Sequence, residues 1–186
     1  MSENVARTET NVPSSKKTDH EGPLIACFQR AIKTDAIFGI KEMANIGTDS
    51  PLYSDVEYVT TNDEYLVIEA KSHESKDAYN TRHKIFGQLL KEHGKKNPLR
   101  DRYTNSLALG ILIPKDETSS GKSNTRQSGY QFYRNGYRDI PHHLFRGFGE
   151  LTKTKYVFVC SLKNETVDVY SWTGFHLGDA PIFRIG

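Results

Sequence analysis

The 186-residue chain has little that would mark it as a secreted, membrane-spanning or disulfide-stabilised protein. Two cysteines, Cys27 and Cys160, are too few for a disulfide framework, and each lies in an apolar stretch typical of a buried, reduced thiol. No apolar run approaches the roughly 18 residues that cross a bilayer, and the N-terminus lacks the apolar core of a signal peptide. We therefore expect a cytoplasmic protein without a membrane partner.

The net charge of +2 conceals an asymmetry between the two parts of the chain. Residues 1–81 hold 8 basic and 14 acidic side chains, whereas residues 82–186 hold 17 basic and 9 acidic ones. Asymmetry of this kind indicates a polyanionic partner such as nucleic acid. The hydrophobic and charged fractions are ordinary for a globular protein, so the length predicts one domain over residues 21–186 after a flexible polar tail at residues 1–20.

Hydrophobic periodicity predicts a mixed α/β protein. Helices are expected over 23–34, over 75–93 with Ser75 as the cap, and over 139–151; strands are expected over 54–60, 64–71, 107–113, 156–162 and 167–172. Range 37–46 fits either an extension of the first helix or a strand, and the polar range 115–128 reads as a loop. This order favours a central mixed β-sheet flanked by helices, ending in a helix and a β-hairpin.

The most informative stretch contains Asp55, Glu69 and Lys71. Because strand side chains alternate, Glu69 and Lys71 share one face at the end of a buried strand, where charges need a partner or a metal. Asp55 lies at the far end of the preceding strand. A three-residue loop places it opposite Glu69, whereas a four-residue loop places it opposite Ala70 on the other face. We therefore predict an odd loop or a bulge between the two strands.

Two carboxylates on one face form a hard-oxygen site suited to Mg²⁺. Such a metal lowers the pKa of a bound water and neutralises phosphoryl charge, and Lys71 could hold the attacking water or the phosphate. Spacing alone is also compatible with a surface strand that carries solvated charges and an ordinary salt bridge.

The spacing resembles the motif of the PD-(D/E)XK nuclease superfamily, in which an Asp on one strand is followed by Glu-x-Lys at the end of the next. Here Asp55 is followed, after thirteen intervening residues, by Glu69-Ala70-Lys71, and Ser54 stands where the namesake motif has Pro. The resemblance covers about residues 23–113. It implies a restriction-endonuclease-like αβββαβ core, which requires range 37–46 to be a strand.

The resemblance further implies Mg²⁺-dependent hydrolysis of DNA phosphodiester bonds, with Mn²⁺ as an alternative to Mg²⁺. Asp55 and Glu69 would be metal ligands, the Ala70 carbonyl a third, and Lys71 would position or activate the nucleophilic water. Family members often carry an upstream Glu on the first helix. Glu42 is the nearest match and Glu21 a poorer one. Gln88 corresponds to a recurrent Gln that orients the metal or the nucleophile, although it could equally be a solvent-facing helix residue.

Basic and aromatic side chains dominate the second half of the chain, with 15 basic and 6 acidic residues between Arg82 and Lys155. Lys and Arg neutralise phosphates, and interleaved aromatic rings can stack on bases. The predicted nucleic-acid contacts are Arg82, Lys84, Lys95, Lys96, Arg100, Arg102, Arg134, Tyr137, Arg138 and Arg146. A solvated helix face and a partly buried set of aromatic rings would give the same composition.

Two classes of function follow. The first is a metal-dependent endodeoxyribonuclease of the kind that serves restriction and defence, recombination or repair, expected to act as a homodimer because two strands need two cuts. The second is a noncatalytic nucleic-acid-binding module on the same fold. A nuclease acting on RNA or branched DNA is a variant of the first.

Overall fold

The computed structural model describes residues 19–46, 52–74, 77–119 and 126–186. The helices in these ranges are α1 (Gly22–Ile32), α2 (Ala78–Glu92), α3 (Pro98–Arg102), α4 (Gly129–Tyr137), α5 (His142–Thr152) and α6 (Trp172–Leu177). The strands are β1 (Ile40–Ile46), β2 (Val56–Thr60), β3 (Tyr65–Ala70), β4 (Leu107–Pro114), β5 (Glu117–Ser119), β6 (Arg126–Ser128), β7 (Thr154–Ser161), β8 (Thr166–Ser171) and β9 (Phe183–Ile185). The Ser75 cap and all but the last two residues of the predicted 1–20 tail lie outside the described residues.

Seven strands form one mixed sheet in the order β1-β2-β3-β4-β7-β8-β9. Strands β3, β4 and β7 run parallel to one another, and the remaining neighbours are antiparallel. Helix α1 packs on one face, while α2, α4, α5 and α6 cover the other, with a hydrophobic cluster at each interface. The predicted α/β class with a mixed sheet flanked by helices is therefore confirmed. None of these helices, within the described ranges, is long and apolar enough to span a bilayer.

Range 37–46, which by sequence fits either a helix or a strand, contains the edge strand β1. Helix α1 ends at Ile32, and the Asp35 carboxylate then accepts hydrogen bonds from the backbone N–H groups of Ile37 and Phe38 at 2.9 and 2.6 Å. A side chain that satisfies backbone donors in this way competes with helix formation. The chain therefore turns at Asp35 and pairs with β2 instead of continuing α1.

The register between β2 and β3 follows from a three-residue loop. The backbone N–H of Thr60 donates to the Glu64 carbonyl at 2.9 Å, which closes the loop over residues 61–63. Val56 pairs with Ile68, so the preceding Asp55 stands opposite Glu69. The predicted odd loop is confirmed, and Asp55 and Glu69 face the same side of the sheet.

Helix α4 is the element that the sequence patterns missed most completely. Ser128 caps it by accepting a hydrogen bond from the Gln131 backbone N–H at 3.1 Å. The rings of Phe132, Tyr133 and Tyr137 are buried in the core. The sequence suggested base-stacking rings here, because the apolar stripe of α4 is built from aromatic residues interleaved with arginines. The preceding polar range, predicted as a loop, contains the short antiparallel pair β5–β6.

Candidate active site

Three carboxylates and one carbonyl oxygen converge on the Lys71 ammonium at the end of β3. The Nζ atom lies 3.4 Å from Glu21 Oε1, 3.6 Å from Asp55 Oδ2 and 3.7 Å from Glu69 Oε2. It donates a hydrogen bond to the Ala70 carbonyl at 2.6 Å. The Asp55 carboxylate also accepts a hydrogen bond from the Ala70 backbone N–H at 2.7 Å. The structure thus brings together the predicted residues Asp55, Glu69 and Lys71. We call these residues, with Glu21 and Ala70, the acidic cluster.

Each member of the acidic cluster is placed by a backbone element. Strand β3 is buried along its whole length, which carries Glu69 and Lys71 into a site where their side chains are only 6% and 9% exposed. Asp55 immediately precedes β2, and Glu21 immediately precedes α1. Pro23 in the first turn of α1 has the fixed φ that suits a helix start. The N-terminus of α1 therefore lies beside the C-terminal end of the central strand β3.

Three carboxylates surround a single ammonium in the acidic cluster, and burial favours the neutral form of two of them. Burial, and to a smaller extent the charge of Asp55, raises the pKa of Glu69 to about 7. Burial also raises the pKa of Glu21 above its ordinary value, against the opposing influence of Lys71. Burial alone would lower the pKa of Lys71, but the carboxylates around it outweigh burial and hold that pKa above its usual value. Lys71 therefore stays charged at neutral pH.

A buried ionic network lies beneath the acidic cluster. The wholly buried Glu57 accepts hydrogen bonds from the Ser54 backbone N–H at 2.6 Å and from Arg100 Nη2 at 2.7 Å. The same Arg100 nitrogen lies 3.2 Å from Glu92 Oε2. Because Ser54 adjoins Asp55, this network fixes the backbone that presents the Asp55 carboxylate. Strand alternation, which places Glu57 on the face of Asp55, is the one sequence signal for it.

Arg100→Leu is expected to lower the free energy of unfolding by about 3–5 kcal/mol, because it leaves the buried Glu57 without its counter-charge and removes one of the two cations that pair with Glu92. Urea unfolding followed by circular dichroism measures the loss. Arg102→Leu is the matched control. Its side chain is 60% exposed and pairs with the exposed Glu42, so its loss should stay below about 1 kcal/mol. Equal losses in the two variants would contradict a stabilising role for the buried network.

Glu42, predicted as the upstream ligand, lies away from the acidic cluster. It pairs in register with Val59, four residues from Asp55 along β2, which is about 13 Å at about 3.3 Å per residue. Its carboxylate binds Arg102. Residue 42 lies on a strand that runs along the sheet edge, whereas the start of α1 reaches the end of β3. The upstream carboxylate that the structure brings to the cluster is therefore Glu21, and the Glu42 prediction is corrected.

Gln88 lies on the sheet-facing side of α2. It is half-buried, and it stands between the buried residues Ile85 and Glu92 at helical spacing. Glu92 belongs to the ionic network beneath the acidic cluster. Gln88 forms no hydrogen bond with another described residue. Its role in orienting a metal or a nucleophile stays a prediction.

Most of the predicted nucleic-acid contacts are at least partly exposed. The exposed residues are Lys84, Lys96, Arg102, Arg138 and Arg146, and the half-buried ones are Arg82, Lys95 and Arg134. Two predictions are corrected by burial: Arg100 belongs to the ionic network, and the Tyr137 ring lies in the core with its hydroxyl donating to the Arg82 carbonyl at 3.1 Å. The sequence could not separate these two from their neighbours, because composition does not reveal which side chains pack inward.

The oxygen atoms of the acidic cluster match the ligands of a hard divalent cation. Carboxylates and backbone carbonyls are the protein oxygens that Mg²⁺ takes. No three His, Cys, Asp or Glu side chains in the described part of the chain are arranged to hold a metal ion as they stand. In the cluster it is the Lys71 ammonium that lies among the oxygens. A divalent cation would therefore compete with this ammonium for the same negative charge.

No protein-family model, curated protein or solved structure matches the chain. The resemblance to the PD-(D/E)XK superfamily therefore depends on Asp55, Glu69 and Lys71 themselves, and on where the strands carry them.

Proposed function

We propose that the chain is a Mg²⁺-dependent nuclease that hydrolyses DNA phosphodiester bonds, with Mn²⁺ as an alternative metal. The observation that carries the proposal is the convergence of Asp55, Glu69 and the Ala70 carbonyl on the buried Lys71 ammonium. The element order α1-β1-β2-β3-α2-β4, with the short α3 inserted before β4, supports a restriction-endonuclease-like core, with the acidic cluster at the start of β2 and the end of β3.

Asp55, Glu69 and the Ala70 carbonyl would hold the metal, with Glu21 as a further oxygen. When bound, the cation lowers the pKa of a coordinated water and neutralises phosphate charge. A bound cation would favour the charged form of Glu69, whose pKa is raised first by burial and then by the charge of Asp55. The buried network under Ser54 keeps the Asp55 carboxylate in position without a rearrangement of the strand.

Lys71 would act as a cation rather than as a base. Its carboxylate neighbours hold its pKa above the ordinary value, so it keeps its proton at neutral pH. A fixed ammonium can orient a water molecule by donating a hydrogen bond to the water oxygen. It can also stabilise the negative charge that develops on the phosphate oxygens. Gln88, which faces the sheet one turn before Glu92, would orient the same water.

Basic residues next to the acidic cluster supply phosphate contacts. Lys95 donates a hydrogen bond to the Tyr53 carbonyl at 2.9 Å and pairs with Glu92, which places it beside the strand end that carries Asp55. Lys96 follows it and is exposed. Lysines that neutralise phosphates make binding weaken steeply with salt, so DNA affinity should fall as the salt concentration rises.

The proposal is tested by incubating the purified protein with supercoiled plasmid, linear duplex, single-stranded DNA and RNA, in Mg²⁺, Mn²⁺ or EDTA. DNA cleavage with either metal and none in EDTA is the expected result. Linear product without a nicked intermediate would indicate a dimer that cuts both strands. Cleavage of RNA alone favours the ribonuclease alternative, and DNA binding without any cleavage favours the noncatalytic module.

A further inference from the structure

An open cavity lies on the same sheet face as the acidic cluster, outside every residue assigned so far. Its volume is about 520 Å³, and its walls include Lys115, Tyr130, Asp168, Tyr170 and Arg184. The Tyr130 and Tyr170 rings lie 5.4 Å apart between centroids, inclined by 33°. Cavities of this size accept small organic groups. We call it the tyrosine cavity.

The sheet register aligns the tyrosine cavity with the acidic cluster. Lys71 follows β3 at the position opposite Ile113 of β4, Ile113 pairs with Val159 of β7, and Val159 pairs with Asp168 of β8. Paired residues on neighbouring strands face the same side of a sheet. Three steps of about 4.8 Å separate Asp168 from Lys71, a distance of about 14 Å. One nucleic-acid strand crossing this end of the sheet could reach both places.

The charges of the tyrosine cavity disfavour an anion. The Asp168 side chain is 3% exposed, with Oδ2 2.5 Å from Lys115 Nζ and Oδ1 2.5 Å from Arg184 Nε. Burial alone would raise the pKa of Asp168, but these two hydrogen bonds outweigh it and hold the pKa below the ordinary value. Asp168 thus already engages both cations that line the cavity. A phosphate therefore gains little here, whereas a neutral aromatic ring fits.

We infer that the tyrosine cavity holds one unpaired base of a DNA strand whose backbone reaches the acidic cluster, an inference that rests on the proposed nuclease. The half-buried Tyr130 offers its ring, and Arg184, whose side chain is 60% exposed, offers the planar surface of its guanidinium for stacking. Asp168 and Tyr170 are buried, so stacking rather than a base-specific hydrogen bond would hold the ring. The substrate is thereby single-stranded or locally unpaired DNA.

Fluorescence anisotropy with a short labelled single-stranded DNA and its duplex tests the inference, with the full chain kept in EDTA so that cleavage does not intervene. Tyr130→Leu should weaken binding of the single strand on the order of tenfold and leave binding of the duplex unchanged. Phe183→Leu, on the opposite face of β9, is the matched control and should bind like wild type. Thermal melts check that each variant is folded.

The inference and the nuclease proposal fail in different ways. If Tyr130→Leu binds the single strand like wild type while plasmid is still cut with Mg²⁺, the cavity assignment is wrong and the nuclease stands. If wild type cuts nothing but binds the single strand through Tyr130, the nuclease proposal is wrong and the base-binding cavity stands.

Discussion

Asp55→Asn is expected to lower the rate of Mg²⁺-dependent DNA cleavage by at least about a thousandfold, the loss expected when several kcal/mol of metal-borne stabilisation disappear. Asparagine keeps the size of the side chain and an oxygen that can accept the Ala70 backbone hydrogen bond. It removes the negative charge that a divalent cation needs. DNA binding in EDTA should persist, because the basic residues remain.

The matched control for this variant is Asp63→Asn, at the other end of the same hairpin. Asp63 is 64% exposed, pairs with Lys41 and has a φ of 60°, a left-handed conformation that asparagine tolerates as well as aspartate does. Cleavage by Asp63→Asn should stay within about twofold of wild type, as for most exposed substitutions. If Asp55→Asn and Asp63→Asn cut plasmid at the same rate, the acidic cluster is not the active site.

Lys71→Met is expected to lower the cleavage rate by about a hundredfold to a thousandfold and to increase the amount by which Mg²⁺ stabilises the folded protein. The ammonium that lies among the cluster oxygens would no longer compete with the metal, and methionine replaces its stem with an uncharged chain of similar length. Loss of a charge that stabilises developing phosphate charge costs about a hundredfold to a thousandfold in rate.

Thermal melts in EDTA and in Mg²⁺ measure the second half of this prediction, because a ligand that binds only the folded state stabilises it by RT ln(1 + [L]/Kd). The shift between the two buffers should be larger for Lys71→Met than for wild type and absent for Asp55→Asn. Lys84→Met, which removes an exposed lysine paired with Asp77, should shift like wild type. A Mg²⁺ shift lost in Lys71→Met would show that this lysine supports the metal rather than competing with it.

The placement of Asp55 opposite Glu69 could be predicted from the sequence, because it depends on local rules. Strand alternation and the length of the Thr61-Asn62-Asp63 loop fix the register of a hairpin without reference to the rest of the molecule. The apolar stripe of α1 is equally local. Such features survive in any fold that contains the same two strands and helix.

The ionic network around Arg100 and the burial of Tyr137 could not be predicted in this way. Arg100 meets Glu57 across 43 positions of sequence, and only the packing of α3 against the sheet decides that this arginine turns inward while Arg102 points to solvent. The aromatic residues of α4 have the composition of a stacking surface. Their rings are instead buried in the core, because packing against α2 and α5 removes their apolar area from water. The prediction of Glu42 instead of Glu21 as the upstream carboxylate was wrong for a similar reason. The packing of α1 on the sheet determines which carboxylate reaches Lys71.

Plasmid cleavage shows whether the acidic cluster hydrolyses DNA with a divalent metal. The measurement is the conversion of supercoiled plasmid to nicked or linear forms, followed over time for wild type and Asp55→Asn in Mg²⁺ and in EDTA. Wild type in Mg²⁺ should convert the plasmid, and the other three reactions should leave it supercoiled. Plasmid that stays supercoiled with wild type in Mg²⁺ and in Mn²⁺, or conversion by Asp55→Asn at the wild-type rate, would contradict this role of the acidic cluster.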